Sequence, residues 1–319
     1  MDACFIIDPI DTLTPKKDTS LDLAMEAQRR GHGVYVCTAE DVYATPEGLH
    51  AKAQRLEMRD ELGAEAHMDP TLFTLSEPAP LALDTCGAVF VRKDPPFDVG
   101  YLTLCLLLDT LGEHVRLVNP GRALRLISEK LTALRFPDVI PNTLVSYDPQ
   151  TVREFATRYD KVVLKPCYMG GGVGIVMVSA DDPMFQQKCE TILALEPHGP
   201  IIAQEFVAQA SGGDTRVMIV DGEIVGAVGR RPPEGEFRAN VAVGGTEAWA
   251  DLTPVQTERA AKIGEFLREH NVLFAGLDFI GDHLIEMNVT SPTLVKELKR
   301  VGGPDVSKLI WDRIEAGAV

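Results

Sequence analysis

The sequence predicts an α/β unit with a mainly parallel sheet, followed by an α+β region built from hairpins. Three observations predict this. In the first third, short apolar runs alternate with helical patterns, the rhythm of a parallel sheet covered by helices. Further on, the cluster Gly170-Gly171-Gly172-Val173-Gly174 leads into an apolar strand, where a Rossmann turn would lead into a helix. Later still, Asp221-Gly222 lies between two apolar runs, a strong hairpin signal.

Taken in order, 3–7 reads as a strand ending at Asp8-Pro9. A helix over 21–30 follows, with Leu21, Ala24 and Met25 on one side, Thr19 or Ser20 as its cap and Gly31 as its stop. Strands are predicted at 34–37, 88–91 and 115–118, and a helix at 98–111. From about 45 to 84 the pattern is weak, broken by Pro78 and Pro80, with room for a strand pair. A short helix at 128–136 precedes strands at 143–146 and 161–166, which flank a helix at 149–158. Strands at 175–178, 201–207, 215–220 and 223–229 come next. A helix at 253–270, a hairpin from 272–280 and 283–289, and a helix at 305–316 complete the chain.

With 319 residues the chain has room for two or three compact units. Its formal net charge of -16 repels phosphate backbones and anionic headgroups, so neither nucleic acid nor membrane is an expected partner. An acidic protein that binds a nucleotide must do so through local cations, which makes single lysines and arginines informative. The six cysteines form no Cys-x-x-Cys pair and are widely scattered, which disfavours zinc or a disulfide framework. No basic leader precedes the first strand, and no apolar stretch reaches the roughly 20 residues of a membrane helix. The expected setting is a reducing cytoplasm.

Four groups of residues can carry chemistry. Lys130 and Lys165 offer point charges to phosphates, and the backbone of Gly170, Gly171 and Gly172 can approach phosphate oxygens; the bland reading of the loop is a flexible turn. Asp278, Glu286 and Asn288 offer the hard oxygens that suit Mg²⁺. They converge if residue 278 pairs with 286, which a hairpin loop of odd length would allow; otherwise they are a solvated strand face. Arg92, Arg216, Arg231 and Arg238, with Gly229-Arg230-Arg231 and Asn240 in one Gly/Pro-rich stretch, suit carboxylate and phosphoryl clamping, although a lone arginine is more often a surface ion pair. Gln204-Glu205-Phe206-Val207 can face a purine edge, and Asp214 a ribose.

The order of these signals resembles the bacterial glutathione synthetase family of the ATP-grasp superfamily, essentially end to end. The match is carried by Asp8-Pro9-Ile10 with Lys16-Lys17-Asp18, by the run from Glu26 to Gly31, by Arg92-Lys93-Asp94-Pro95-Pro96-Phe97-Asp98 and by Asn119-Pro120. It continues through Glu129-Lys130-Leu131, Leu164-Lys165-Pro166, the run from Gly276 to Asp282, and Glu286-Met287-Asn288-Val289-Thr290-Ser291-Pro292. The resemblance implies an ATP-grasp fold: an N-terminal parallel α/β unit over 1–122, a small lid over 123–200, and a C-terminal antiparallel-sheet unit over 201–319.

It also implies roles. Lys130, Lys165 and the glycine loop would bind ATP phosphates, Gln204 to Val207 the adenine and Asp214 the ribose. Asp278, Glu286 and Asn288 would hold two Mg²⁺ ions, or Mn²⁺ in their place. Arg216, Arg231 and Arg238 would grip the substrate carboxylate and the transferring phosphoryl group. Arg92, Asn240 and Val289, Thr290, Ser291 and Pro292 would bind peptide. The implied reaction joins γ-glutamylcysteine to glycine with ATP through an acyl phosphate, in a homotetramer. The rival readings are another carboxylate–amine ligase on this fold and a nucleotide-binding regulator without turnover. The glycine loop, with Cys167 beside it, is richer in glycine than the family pattern.

Overall fold

The computed structural model describes residues 1–59, 72–196, 198–232 and 246–317. The N-terminal unit contains β1 (Asp2–Ile7), α1 (Thr19–Arg29), β2 (Gly33–Cys37), β3 (Val42–Thr45), β4 (Gly48–Met58), β5 (Phe73–Leu75), β6 (Ala79–Ala82), β7 (Ala88–Arg92), α2 (Val99–Leu108), β8 (Arg116–Val118) and α3 (Gly121–Leu126). Strands β2, β1, β7 and β8 are parallel, as the β-α-β rhythm predicts. Helix α1 is capped by Asp18, one residue before Thr19 and two before Ser20, the caps expected. The Asp18 carboxylate accepts from the Leu21 amide at 2.8 Å, the usual exchange that satisfies an unpaired first-turn donor.

The weakly patterned stretch holds more than a strand pair. β3 and β4 form a hairpin, and β5 and β6 also pair with β4, so this excursion extends the edge of the parallel sheet with antiparallel strands.

The lid contains β9 (Thr143–Ser146), α4 (Pro149–Ala156), β10 (Val162–Pro166), β11 (Val176–Val178), α5 (Phe185–Leu195) and β12 (Ile201–Glu205), with sheet order β11-β10-β12-β9. Its apolar core of Val152, Phe155, Leu164, Phe185, Cys189 and Ile192 is its own cluster. β12 lies inside this sheet, between β10 and β9. The strand that follows the boundary expected at residue 201 thus pairs with the strands before it.

The C-terminal unit has β13 (Asp214–Val220), β14 (Glu223–Arg231), β15 (Thr246–Trp249), α6 (Pro254–Glu269), β16 (Phe274–Ile280), β17 (His283–Asn288), α7 (Val295–Arg300) and α8 (Val306–Glu315). Its sheet order is β15-β14-β13-β16-β17, antiparallel at each described pairing. Helix α6 begins with a capping box in which Thr253 and Gln256 exchange side-chain and backbone hydrogen bonds.

The first and last units share one interior. Trp311 of α8 is buried against Phe90, with ring centroids 5.3 Å apart, and donates to the Leu23 carbonyl. Asn119, just past β8, donates to the Phe274 and Val289 carbonyls and accepts from the Leu273 and Phe274 amides. A buried amide with this many partners is fully satisfied and fixes β8 against the β16–β17 hairpin. This junction positions the site.

Candidate active site

A cleft of about 650 Å³ opens between the lid, the C-terminal sheet and the loops after β1 and β7. Strand period puts the lid lysine there. Val162 and Leu164 face the lid core, and the alternate residues Val163 and Lys165 line the cleft. Lys165 is buried and donates to Gln204 Oε1 at 2.7 Å; Gln204 Nε2 in turn donates to Thr143 at 3.0 Å. Burial, with Lys130 adding to it, brings the Lys165 ammonium down to about 8, against the pull of Glu286 and Asp278. Lys130 donates to the Met169 carbonyl, tying it to the glycine loop.

In that loop Gly171, Gly172 and Gly174 have φ of 63°, 78° and 71°, which glycine adopts freely. Glu196 anchors the loop's base by accepting from the Cys167 and Tyr168 amides at 2.6 Å each. Burial and Glu196 push the Cys167 thiol up to about 11, which leaves it unreactive near neutral pH.

The cleft floor is a row of charges set by two β-bulges. The β16–β17 turn is the two-residue Gly281-Asp282, and on its own it would pair Asp278 with residue 285. A register shift leaves Ile285 unpaired and brings Asp278 opposite Glu286, with Gly276 opposite Asn288. The convergence of Asp278, Glu286 and Asn288 is therefore real, but a bulge supplies the odd residue expected from the loop. The β13–β14 hairpin repeats the device. Its turn is Asp221-Gly222, Val225 is left unpaired, and Arg230 comes opposite Asp214.

Without that second bulge Arg231 would share the face of Asp214 and Arg216. With it, Arg230 is 5% exposed and lines the cleft, while Arg231 is exposed at the strand's end. Arg230 thus holds the place expected for Arg231. Arg230 forks onto both Asp214 oxygens at 2.6 and 2.7 Å and reaches Asp278 at 3.0 Å.

Arg216 pairs with Asp278 across the strands through Nε and through Nη2, the latter at 2.8 Å. It lies over Gly276, where an added Cβ would stand 2.7 Å from Arg216 Cδ; the glycine is there for close approach. Burial alone would push Asp278 up, but Arg216 and Arg230 outweigh it and hold this carboxyl well below the usual range. Glu286 goes the other way. Burial and then Asp278 push its carboxyl up, and the two carboxyl groups are in hydrogen-bonding reach. Asn288 Nδ2 lies 3.4 Å from Asp278 Oδ2. Among the described residues no group of three or more His, Cys, Asp or Glu could hold a metal; this trio brings two carboxylates and an amide.

Gln204, Glu205, Phe206, Val207, Asp214, Gly170, Gly171, Gly172, Thr290 and Ser291 all line the cleft. Arg92 acts from behind. It donates to the Pro292 carbonyl at 2.9 Å and to Ser20 at 3.1 Å, holding the stretch from Val289 to Pro292. Arg238 and Asn240 lie outside the described residues.

Residues without an expected role also matter. Glu129 Oε1 accepts from the Val289 and Thr290 amides and the Thr290 hydroxyl, at 3.0, 3.1 and 2.7 Å, and so clamps the loop after β17 beside Lys130. Asp8, Lys17, Asp18 and Asp94 line the cleft's N-terminal end. Glu129, Lys17 and Asp18 stand in the motif strings of the sequence, but nothing in spacing assigns them a task.

A pH test follows from Lys165. If Lys165 holds phosphate, as the resemblance implies, it does so as the ammonium, which is present below about 8 and lost as pH rises through that value. Without divalent cation, the dissociation constant for ATP is expected to be flat below pH 8 and to rise about tenfold per unit above it. Lys165→Arg should flatten the upper limb. A flat wild-type titration to pH 9.5 would remove Lys165 from the phosphate site.

The chain is similar to known proteins along nearly its whole length. Residues 1–125 match the family model for the prokaryotic glutathione synthetase N-terminal domain, and residues 129–303 that for the prokaryotic glutathione synthetase ATP-grasp domain. The chain is 35% identical to the glutathione synthetase of Brucella melitensis over 97% of each chain. It is 37% identical to that of Bradyrhizobium diazoefficiens over 97% of this chain and 96% of the relative. The Synechococcus elongatus enzyme is 35% identical over 99% and 98%. Among solved structures, the D-cycloserine synthetase DcsG superposes with a TM-score of 0.67 at 16% identity over 99% of both chains. The ATP-grasp ligase PsnB does so with 0.62 at 17% over 98% of both. At these identities the likeness is one of fold.

Proposed function

The chain belongs to the prokaryotic glutathione synthetase family, and from that premise we propose how its residues divide the work. It is an ATP-dependent ligase that joins γ-L-glutamyl-L-cysteine to glycine, with ADP and phosphate as the other products. The observation that carries the assignment of roles is the meeting of Lys130, Lys165, Arg216, Arg230, Asp278 and Glu286 around one cleft.

In this reading the cysteinyl carboxylate oxygen attacks the γ-phosphorus and ADP leaves. The glycine nitrogen then attacks the acyl carbon, and phosphate departs with the carboxylate oxygen. Lys130, Lys165 and the amides of Gly170 to Gly172 hold the phosphates. Gln204 to Val207 line the adenine. Arg216 and Arg230 turn from Asp278 and Asp214 to the transferring phosphoryl group, which frees Asp214 for the ribose. Arg238 and Asn240 are proposed for the substrate carboxylate on the resemblance alone. The stretch from Val289 to Pro292, backed by Arg92 and Glu129, seats the peptide. Positioning and charge neutralisation do the work, so no side-chain nucleophile is needed. The lid, proposed to hinge after β12, keeps water from the acyl phosphate.

The donor set fits divalent ions. Asp278 is buried and Glu286 half-buried opposite it, and the upward push on Glu286 favours a shared proton where a cation would relieve both charges. Asp278, Glu286 and Asn288 are therefore proposed to hold two Mg²⁺ ions, with Mn²⁺ as a substitute. When bound, the ions neutralise phosphate charge and polarise the γ-phosphoryl group. A cytoplasmic setting is proposed from six free, buried cysteines; a homotetramer is proposed from the resemblance alone. ADP release should require ATP, Mg²⁺, γ-glutamylcysteine and glycine together. Turnover that persists without glycine or without the dipeptide would point to a different ligase.

A further inference from the structure

One carboxyl group in the cleft wall has no part in that scheme. Glu297, in the first turn of α7, is 1% exposed. Its Oε1 accepts from Arg300 at 2.8 Å, whereas Oε2 is buried and without a hydrogen-bond partner. Native proteins pair nearly all such atoms, because an unmatched one keeps its desolvation penalty. Burial pushes this carboxyl up, as that penalty requires. The residue stands in the lining of the cleft together with Thr293, Leu294 and Arg230.

The backbone that delivers Glu297 is itself strained. Leu294, the residue that starts α7, has φ 79° and ψ 15°, a left-handed conformation that is costly for a branched side chain and characteristic of functional turns. From this start Val295 and Leu298 enter the core, and Glu297 is buried beside the cleft. Lys296 reaches the Pro15 carbonyl at 2.6 Å. A buried acceptor with a vacant lone pair and latent negative charge calls for a small cationic N–H donor.

We propose that Glu297 receives the α-ammonium of an amino-acid substrate. The inference rests on the ligase reading, which supplies two such groups: the glutamyl end of γ-glutamylcysteine, and glycine before its nitrogen reacts.

The test is Glu297→Gln, which keeps shape and the Arg300 contact and removes the charge. With each substrate varied in turn, the KM of one amino substrate should rise about 10- to 100-fold while that of ATP stays within about twofold. A rise for glycine places the site at the acceptor. A rise for the dipeptide places it at the glutamyl end, and wild type should then bind N-glutarylcysteine, which lacks the α-amino group, as weakly as the variant binds the dipeptide. Glu297→Asp should recover part of the loss and carries the comparison if the glutamine variant does not fold. Calorimetric titration of both substrates reads the same affinities without turnover. Unchanged affinity for both substrates, or an equal loss that includes ATP, would overturn the proposal. The wild-type requirement for all four components is read separately, so failure of the ligase reading is distinguishable.

Discussion

Glu286→Gln is expected to lower ADP release by about 10²- to 10³-fold, the scale seen when a single charge-stabilising group is removed from a reaction centre, while the protein folds as well as the parent. The Glu286 carboxyl is half-buried opposite Asp278, and desolvation and that neighbour push it up. Between its ordinary value of 4.5 and the raised one, the folded chain holds a proton that the unfolded chain has lost. Stability from this group therefore falls as pH rises through that window. Glutamine is a neutral mimic of the protonated state, so the variant should match or exceed the parent's stability near neutral pH. What it lacks is the anionic oxygen proposed for the cation. Loss of turnover with an intact melting transition separates function from folding. Parent-like turnover at limiting Mg²⁺ would remove Glu286 from the centre. Asp278→Asn is a poorer probe, because Asp278 is the shared counter-charge of Arg216 and Arg230.

The second large effect distinguishes two neighbouring arginines. Arg230→Lys should reduce turnover by about 10²-fold, since an ammonium cannot reproduce the planar fork on Asp214 or present two donors to a phosphoryl group. Arg230→Met should also destabilise the fold by about 3–5 kcal/mol, because Asp214 then stays half-buried without its partner. Arg231→Lys should leave turnover within about twofold and stability within about 0.5 kcal/mol, as for other exposed positions. Denaturant melts and steady-state rates on the three variants decide it. Equal losses at both positions would mean that the strand end rearranges on binding.

These arginines show where sequence reading stops. Side-chain parity along a strand is legible, but the bulge at Ile285 is not, since no glycine or proline stands beside it; at Val225 only the single Gly226 hints at one. One bulge exchanges Arg231 for Arg230; the other brings Glu286 round to Asp278. The parallel core was legible because Phe5, Val36 and Val89 sit in uninterrupted apolar runs. Helix α5 was not. Phe185, Cys189 and Ile192 have helical spacing, but Met184 offers no side-chain cap and Glu196 is no glycine stop. Helix α7 begins at a left-handed leucine, a start imposed by packing and not by propensity. Strand β4 alternates buried Leu49, Ala51 and Ala53 with polar residues, and alanine gives little strand signal. The lysines and the hard oxygens stood out by residue type and spacing, and the motif strings implied their roles. The clamp by Glu129 and the vacant oxygen of Glu297 exist only in three dimensions.

The central claim is that the dipeptide's cysteinyl carboxylate is phosphorylated on this cleft floor before glycine attacks. The direct measurement is one turnover series with γ-glutamylcysteine labelled with ¹⁸O in that carboxylate, followed by mass analysis of the phosphate and nucleotide products. The mechanism predicts one labelled oxygen in each inorganic phosphate released and none in the nucleotide. Unlabelled phosphate, or label carried by AMP, would contradict it.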